Sequence, residues 1–390
     1  MQVRRTEAQS KIQPAYLKAA LHAAFILTGA VNTMLGPLLP LLSGRWSLSD
    51  AQAGLLFAAQ FGGSVSGVLL STILVVRGGH RLCLVLGLGL MATGAATLLG
   101  SGYQTGLMSA LSMGIGLGLA IPTTNLLVSG LNPQRRAAAL SLINLSWGAG
   151  AVGCPFFIAA LLSGQHVSLF LDSLAALLIV ALLMVARISF PSFASSPNRA
   201  LGMNSAIWRS RWIPILGAMF FLYVGSEGAV SGWIATYAKR ILAGPGASWV
   251  LMPSVFWVAL LLGRALVPLA LRRMKPLALA KWGLRLAAAG VAVLLMARSL
   301  PMIAVGTGIA GLGFSPAFPV AIASLGDKFG EMESRVAGVM FALAGCGGAA
   351  LPWLAGYLST AFGGLRFGLL VPLGGCGVML ALNTQVSRRE

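Results

Sequence analysis

Twelve apolar stretches recur along this chain, each long enough to cross the hydrocarbon core of a bilayer, which takes about 20 helical residues. They lie at about 16–42, 49–76, 82–99, 105–131, 137–162, 167–186, 212–238, 248–271, 277–297, 300–325, 336–360 and 366–384, and are called spans one to twelve below. In lipid every backbone polar group must be satisfied within the chain, so segments of this length are expected to be helices. Span one is too long for the apolar region of a secretory leader and has no convincing cleavage site after it, so it is read as a span. Only 9% of the residues are charged and 57% are hydrophobic, against about 25% charged in a soluble domain. The reading is an all-α integral membrane protein.

Residues 191–211 break the pattern with Pro191, Pro197, several serines and the alternating end Trp208-Arg209-Ser210-Arg211-Trp212. They are read as a linker between an N-terminal six-helix half, 1–190, and a C-terminal half, 212–390. The net charge of +19 resembles a nucleic-acid signature until the basic residues are mapped. Twenty of the 27 Lys and Arg fall in the two tails, the linker and the loops on their side of the membrane, and five fall in the opposite loops. That bias orients both termini toward the cytoplasm of a plasma membrane, here a bacterial inner membrane, and accounts for the charge without nucleic acid. Arg264 and Arg285 remain, each inside a span. The four cysteines all fall within spans without metal spacing and are read as packing residues.

The halves repeat. Gly148, Gly150 and Pro155 in span five read G-x-G-x4-P, as do Gly345, Gly347 and Pro352 in span eleven, 197 residues later. Gly116-Leu117-Gly118 in span four and Gly311-Leu312-Gly313 in span ten are displaced by 195. Two homologous six-helix halves are the arrangement in which a carrier holds its solute near the midplane between repeats.

Span seven carries the most unusual residue. Within Phe220 to Tyr237, FFLYVGSEGAVSGWIATY, Glu227 stands near the middle. An acid at the centre of a membrane helix costs about 2.5–3.5 kcal/mol on insertion scales and is a functional candidate by default. Tyr223, Glu227 and Ser231 recur every four residues and form one polar stripe. The other seven acids fall in tails, loops or span ends. A structural ion pair is the bland alternative.

These segments resemble the major facilitator superfamily, and within it the sugar symporter branch typified by fucose permease. YVGSEGAVSGWIATYAKR is similar to the branch's YVG segment with its following Trp and Tyr, and Gly263-Arg264 in span eight to its GR pair. SLINLSWGAGAVGCPF in span five, AVNTMLGPLLP in span one and SPAFPVAIASLG in span ten are similar to the corresponding helices. The resemblance implies twelve helices in two pseudo-symmetric halves and alternating access. It also departs from the family. The turn VVRGGHR keeps Arg77, Gly79 and Arg81 but has Val76 where an Asp is expected, so a latch there is differently made. Thr33 and Ile121 stand where fucose-type symporters place proton-linked acids, so that proton route does not carry over.

The expected solute contacts are Asn32, Gln60, Asn125, Asn144, Trp147, Tyr223, Glu227, Ser231 and Trp257. An amide such as Asn144 bonds hydroxyls, and an indole such as Trp147 stacks on the apolar face of a sugar ring. Interhelical hydrogen bonding and packing are the alternatives, stronger for Asn32, Gln60 and Asn125. Arg77, Arg81 and Arg264 are read as gating or structural, with Arg264 either reaching for the membrane surface or balancing Glu227. Trp353 and Tyr357 are read as packing or interfacial aromatics. Enzymatic chemistry finds no support, because there is no phosphate loop, nucleophile set or metal spacing, and His22, His80 and His166 lie far apart. The expectation is a monomeric secondary transporter of a small polar solute, a sugar by resemblance, with no cofactor and with H+ or Na+ as the coupling ion at Glu227. An exporter of amphiphilic compounds and a non-transporting receptor or scaffold are the competing readings.

Overall fold

A computed structural model of the protein describes residues 2–162, 166–188, 190, 209–242 and 246–387. Most of the expected linker, residues 191–208, lies outside the described residues. The described residues form helices joined by short turns, with no strand among them.

Among the described residues ten helices are each long and apolar enough to cross a membrane, and a bent pair, Tyr16–Thr33 with Leu35–Trp46, makes an eleventh span. The twelfth is hidden in the helix Asp50–Thr97, whose 48 residues contain a break at Gly79. Gly79 has φ 70° and ψ 178°, a conformation open essentially to glycine alone, and nothing lies within 4 Å of where its Cβ would stand. Spans two and three therefore meet at the RGGHR turn.

Span one bends by 44° at its break. Pro37 lacks an N–H and its ring crowds the carbonyl four residues earlier, which belongs to Thr33, where the first helix stops. Span ten is likewise two helices, Leu300–Phe314 and Ala317–Phe329, interrupted at Ser315-Pro316. The remaining spans are Tyr103–Leu131, Arg136–Leu162, Val167–Arg187, Trp212–Ile241, Met252–Ala270, Pro276–Met296, Glu333–Phe362 and Leu370–Ser387, the last preceded by a short helix, Leu365–Gly368.

The chain forms two compact units. One contains residues 1–34, 62–154 and 164–200; the other contains 35–61, 155–163 and 201–390. Span one beyond its bend and the first turns of span two thus pack with helices of the second half.

Glycine contacts within each unit show how the repeat is built. A Cβ on Gly150 would run into the carbonyl oxygen of Ile26 in span one, and one on Gly347 into that of Phe221 in span seven. In the first unit Gly116 faces Gly87, a Cβ there lying 2.5 Å from the Gly87 oxygen. In the second, a Cβ on Gly283 would lie 2.7 Å from the Gly313 oxygen. The structural partner of Gly116 is therefore Gly313, at an offset of 197 (313 − 116), and not Gly311 at 195 as the dipeptide pattern implies. Lipid offers no hydrophobic force to press helices together, so these backbone-close crossings supply much of the packing.

Aromatic packing completes the second unit near the start of span seven. Phe220 makes edge-on contacts with Phe318 and Phe341 at 5.7 and 6.0 Å, beside buried Leu216, Leu325 and Met340. Trp233 donates its indole N–H to the carbonyl of Pro352 at 2.8 Å, and the Tyr237 hydroxyl donates to that of Leu294 at 2.7 Å. The Trp and Tyr that follow the YVG segment thus anchor span seven to spans eleven and nine. Three cysteines, Cys83, Cys154 and Cys376, are buried as expected of packing residues, whereas Cys346 is exposed.

Candidate functional site

The stripe on span seven meets span eight and the broken span ten. Arg264 sits in the middle of Met252–Ala270 and points at the stripe. Its Nη2 lies 3.6 Å from Glu227 Oε2 and donates a hydrogen bond of 3.1 Å to the Tyr223 hydroxyl. The Phe318 ring lies 5.9 Å beneath the guanidinium, and Tyr223 packs against Phe314 and Phe318 at 6.1 and 5.7 Å. Arg264 therefore does not reach for the membrane surface; it balances Glu227.

The balance is incomplete. At 3.6 Å the pair attracts, but it is too long for a hydrogen bond. Glu227 Oε2 and Arg264 Nε are both buried without a hydrogen-bond partner. Some exposure nonetheless persists, 14% of the Glu227 side chain and 32% of the Arg264 side chain. Side by side, the cluster offers an acceptor, a donor and a phenol hydroxyl in an aromatic frame. A hydroxyl group, being donor and acceptor at once, is suited to both unfilled positions.

Ser231 belongs to the stripe but is otherwise engaged. Its hydroxyl donates to the Glu227 carbonyl of its own helix at 2.8 Å, and the backbone there abuts Gly36 on the far piece of span one. Trp257 is buried edge-on against Phe256 at 5.4 Å, one face of span eight away from solvent. Gln60, also in this unit, is 1% exposed. The structure thus brings together Tyr223, Glu227 and Arg264, and leaves Ser231, Trp257 and Gln60 as packed neighbours.

The other expected contacts lie in the first unit. Asn125 is half-buried and its Oδ1 has no hydrogen-bond partner among the described residues, as is true of Thr123 Oγ1 nearby. Asn32 is half-buried in the last turn before the bend in span one. Asn144 is exposed and donates its amide to the Leu140 carbonyl of its own helix at 2.7 Å. Trp147 presents its carbonyl to Gly29, so spans one and five touch backbone to backbone at that point. One partner there was invisible in the sequence: His22 Nδ1 lies 2.7 Å from Ser146 Oγ, joining spans one and five.

At the turn between spans two and three, Arg81 donates to the carbonyl of Ala186 at the end of span six. Arg77 is exposed, and neither arginine has a carboxylate partner among the described residues. With Val76 exposed in place of an acid, a helix carbonyl takes over as the anchor of this turn.

Phe314 and Phe318, which frame Arg264, carried no signal of their own in a chain with 17 phenylalanines. Trp353 and Tyr357 stack at 5.8 Å on the face of span eleven.

The sequence matches the family model of the Major Facilitator Superfamily over residues 21–298. The chain belongs to that superfamily and is a multi-pass secondary transporter of the membrane, not an enzyme. Among curated proteins it is similar to the glucose/mannose transporter GlcP of Bacillus subtilis (strain 168), 24% identical over 356 residues and covering 86% of each chain. Among solved structures it is similar to the nucleoside transporter NupG, with a TM-score of 0.81 at 12% identity, covering 95% of this chain and 99% of that one. It is also similar to the E. coli fucose:proton symporter FucP, with a TM-score of 0.64 at 21% identity, covering 94% and 97%.

Proposed function

We propose that this protein carries a sugar, or a small solute built on one, across the bacterial inner membrane by alternating access of its two halves. The observation that carries the reading is the half-satisfied cluster of Tyr223, Glu227 and Arg264. It leaves one buried acceptor and one buried donor open in an aromatic frame. A polyhydroxylated ring fills such positions with hydroxyls and lays its apolar face on aromatic carbon. The relatives point the same way: one is named for glucose and mannose, one for fucose, one for nucleosides, which contain a sugar.

In this reading Asn32, Asn125, Asn144 and Trp147 supply the contacts of the first half, and the protein works as a monomer with both termini in the cytoplasm. The charge bias of the loops supports that orientation. Glu227 is the coupling residue, since one of its oxygens is buried without a hydrogen bond and Arg264 stands ready to hold the carboxylate when a proton leaves. A proton is favoured over Na+ because a guanidinium neighbour repels a second fixed cation.

Proteoliposomes loaded with buffer and challenged with labelled glucose, mannose, fucose and uridine test the reading. Uptake of at least one above protein-free vesicles, enhanced by an inward proton gradient, is expected. Glu227→Gln should abolish accumulation against a gradient and retain exchange of internal for external solute. Transport of amphiphilic dyes without any sugar would instead establish the exporter, and ligand binding without movement of any solute would establish a receptor.

A further inference from the structure

Arg285 is the tenth residue of the 21-residue helix Pro276–Met296, which places it at the middle of span nine. A guanidinium at that depth is expensive unless an anion meets it. None does among the described residues. Among the described residues Arg240 pairs with Asp50 and Arg264 with Glu227, whereas Arg285 is exposed and lies 4.6 Å over the ring of Trp282. Asp327, the nearest acid in sequence beyond the groove, stands 11 residues past Pro316, about 16 Å along the helix.

Arg285 and Trp282 border a groove of about 560 Å³ between spans eight, nine and ten. Its floor is low because small residues meet there. Gly263 abuts Ser315, and Gly283 abuts Pro316, at the break in span ten. Its walls are otherwise aliphatic, with Leu266, Leu286 and Ala289 among them. Leu266 and Trp282 are 57% and 58% exposed, so the groove opens outward from the unit. Lys281 stands one turn from Arg285 on the same side of the helix, and Lys275, Arg273 and Arg272 precede it. The basic residues thus descend from the membrane surface to the lip of an apolar trough.

We propose that this groove seats an anionic phospholipid, its phosphate drawn down to Lys281 and to Arg285, whose guanidinium reaches back over Trp282 toward the basic end of the helix, with an acyl chain lying along the trough toward Ala289. Charge complementarity selects the anion, and the aliphatic walls select a chain attached to it. Neither a free sugar nor a neutral lipid satisfies the arginine. Basic hollows between membrane helices hold anionic headgroups for the same reasons.

Native mass spectrometry of the purified full-length protein tests the proposal. Delipidated protein is exposed to equal amounts of phosphatidylglycerol and phosphatidylcholine, with glycerol phosphate as the chain-free anion. Wild type should retain phosphatidylglycerol over phosphatidylcholine by at least about fivefold, the value of one basic residue at an anionic headgroup. Arg285→Gln should remove the preference, and so should Ala289→Phe, which fills the trough and leaves the arginine in place, so that either variant suffices if the other fails to fold. Glycerol phosphate should not be retained. Equal retention of the two lipids would overturn the proposal, as would an unchanged preference in a folded Arg285→Gln protein. Retention of glycerol phosphate would overturn it in favour of a small-anion site, and a dimer dissolved by Arg285→Gln in favour of a contact between copies.

Discussion

Arg240 grips Asp50 through two hydrogen bonds, 2.8 Å to Oδ2 and 2.6 Å to Oδ1, between residues 190 positions apart in the chain. The Ser359 hydroxyl adds a third to Oδ2 at 2.5 Å, and the Ala51 N–H donates to Thr360 at 2.9 Å. The first turn of span two is thereby pinned to the ends of spans seven and eleven. A two-pronged guanidinium contact is the strongest geometry such a pair can adopt.

The strength of that clamp is measurable. The Arg240 side chain is 46% exposed and that of Asp50 10%, so solvent screens the pair and its coupling should lie near the upper end for surface pairs, about 1 kcal/mol. A double-mutant cycle of Asp50→Asn and Arg240→Gln, read by thermal unfolding in detergent, should return that coupling at low salt and less at 1 M. A coupling of zero at low salt would show that Ser359 and Thr360 hold the segment without the charge.

Breaking the pair at Arg264 should behave differently. Arg264→Ala strands the Glu227 carboxylate among Tyr223, Phe314 and Phe318. Removal of one partner of a buried pair costs about 3 kcal/mol at the low end of the observed range, appropriate here because a third of the arginine remains exposed. Adding Glu227→Gln should recover most of the loss. Chemical denaturation of the three variants decides this, and a double variant no more stable than Arg264→Ala would contradict the pairing.

Two glycines of the repeat should be intolerant of even a methyl group. Gly150 and Gly347 press on the carbonyls of Ile26 and Phe221, so alanine at either forces helices apart at a cost of about 1–3 kcal/mol. Gly377 has nothing within 4 Å of its would-be Cβ and is the control, expected to accept alanine without loss. Melting temperatures of the three alanine variants compare them directly.

Gly79 isolates a purely conformational effect. Its surroundings are empty, so alanine there meets no neighbour and pays only for the backbone angle, about 1–3 kcal/mol. Limited proteolysis at the turn of spans two and three should speed up in Gly79→Ala. Unchanged cleavage would mean that the turn relaxes into an ordinary helical path.

Much of this architecture could be read from the chain because its causes are local. Apolar length marks a span, Pro37 marks the bend at Thr33, and four-residue spacing puts Tyr223, Glu227 and Ser231 on one stripe. The break between spans two and three was legible through Gly78-Gly79. What the sequence could not show is pairing between distant segments. Nothing in the spacing tells that Arg240 meets Asp50, that Arg264 turns inward, or that His22 bonds Ser146. The repeat is visible in its Gly-Pro pattern, yet the glycines of spans four and ten that face a neighbouring helix stand two residues off that pattern, since G-x-G alone does not say which glycine faces which helix.

That register reaches further than packing. Gly150 rests on Ile26 as Gly347 rests on Phe221, which sets span one and span seven in correspondence at 195 residues (221 − 26). Glu227 then matches Asn32 and Tyr223 matches Thr28. Gly87 and Gly283 fix spans three and nine at 196, and carrying that value to spans two and eight matches Arg264 with Val68. The joints recur, and the charge does not. The glycine joints recur at matching places in the two halves, whereas the acid and the base of the second stand opposite Asn32 and Val68 in the first. The ion pair of the second half thus has no charged counterpart in the first.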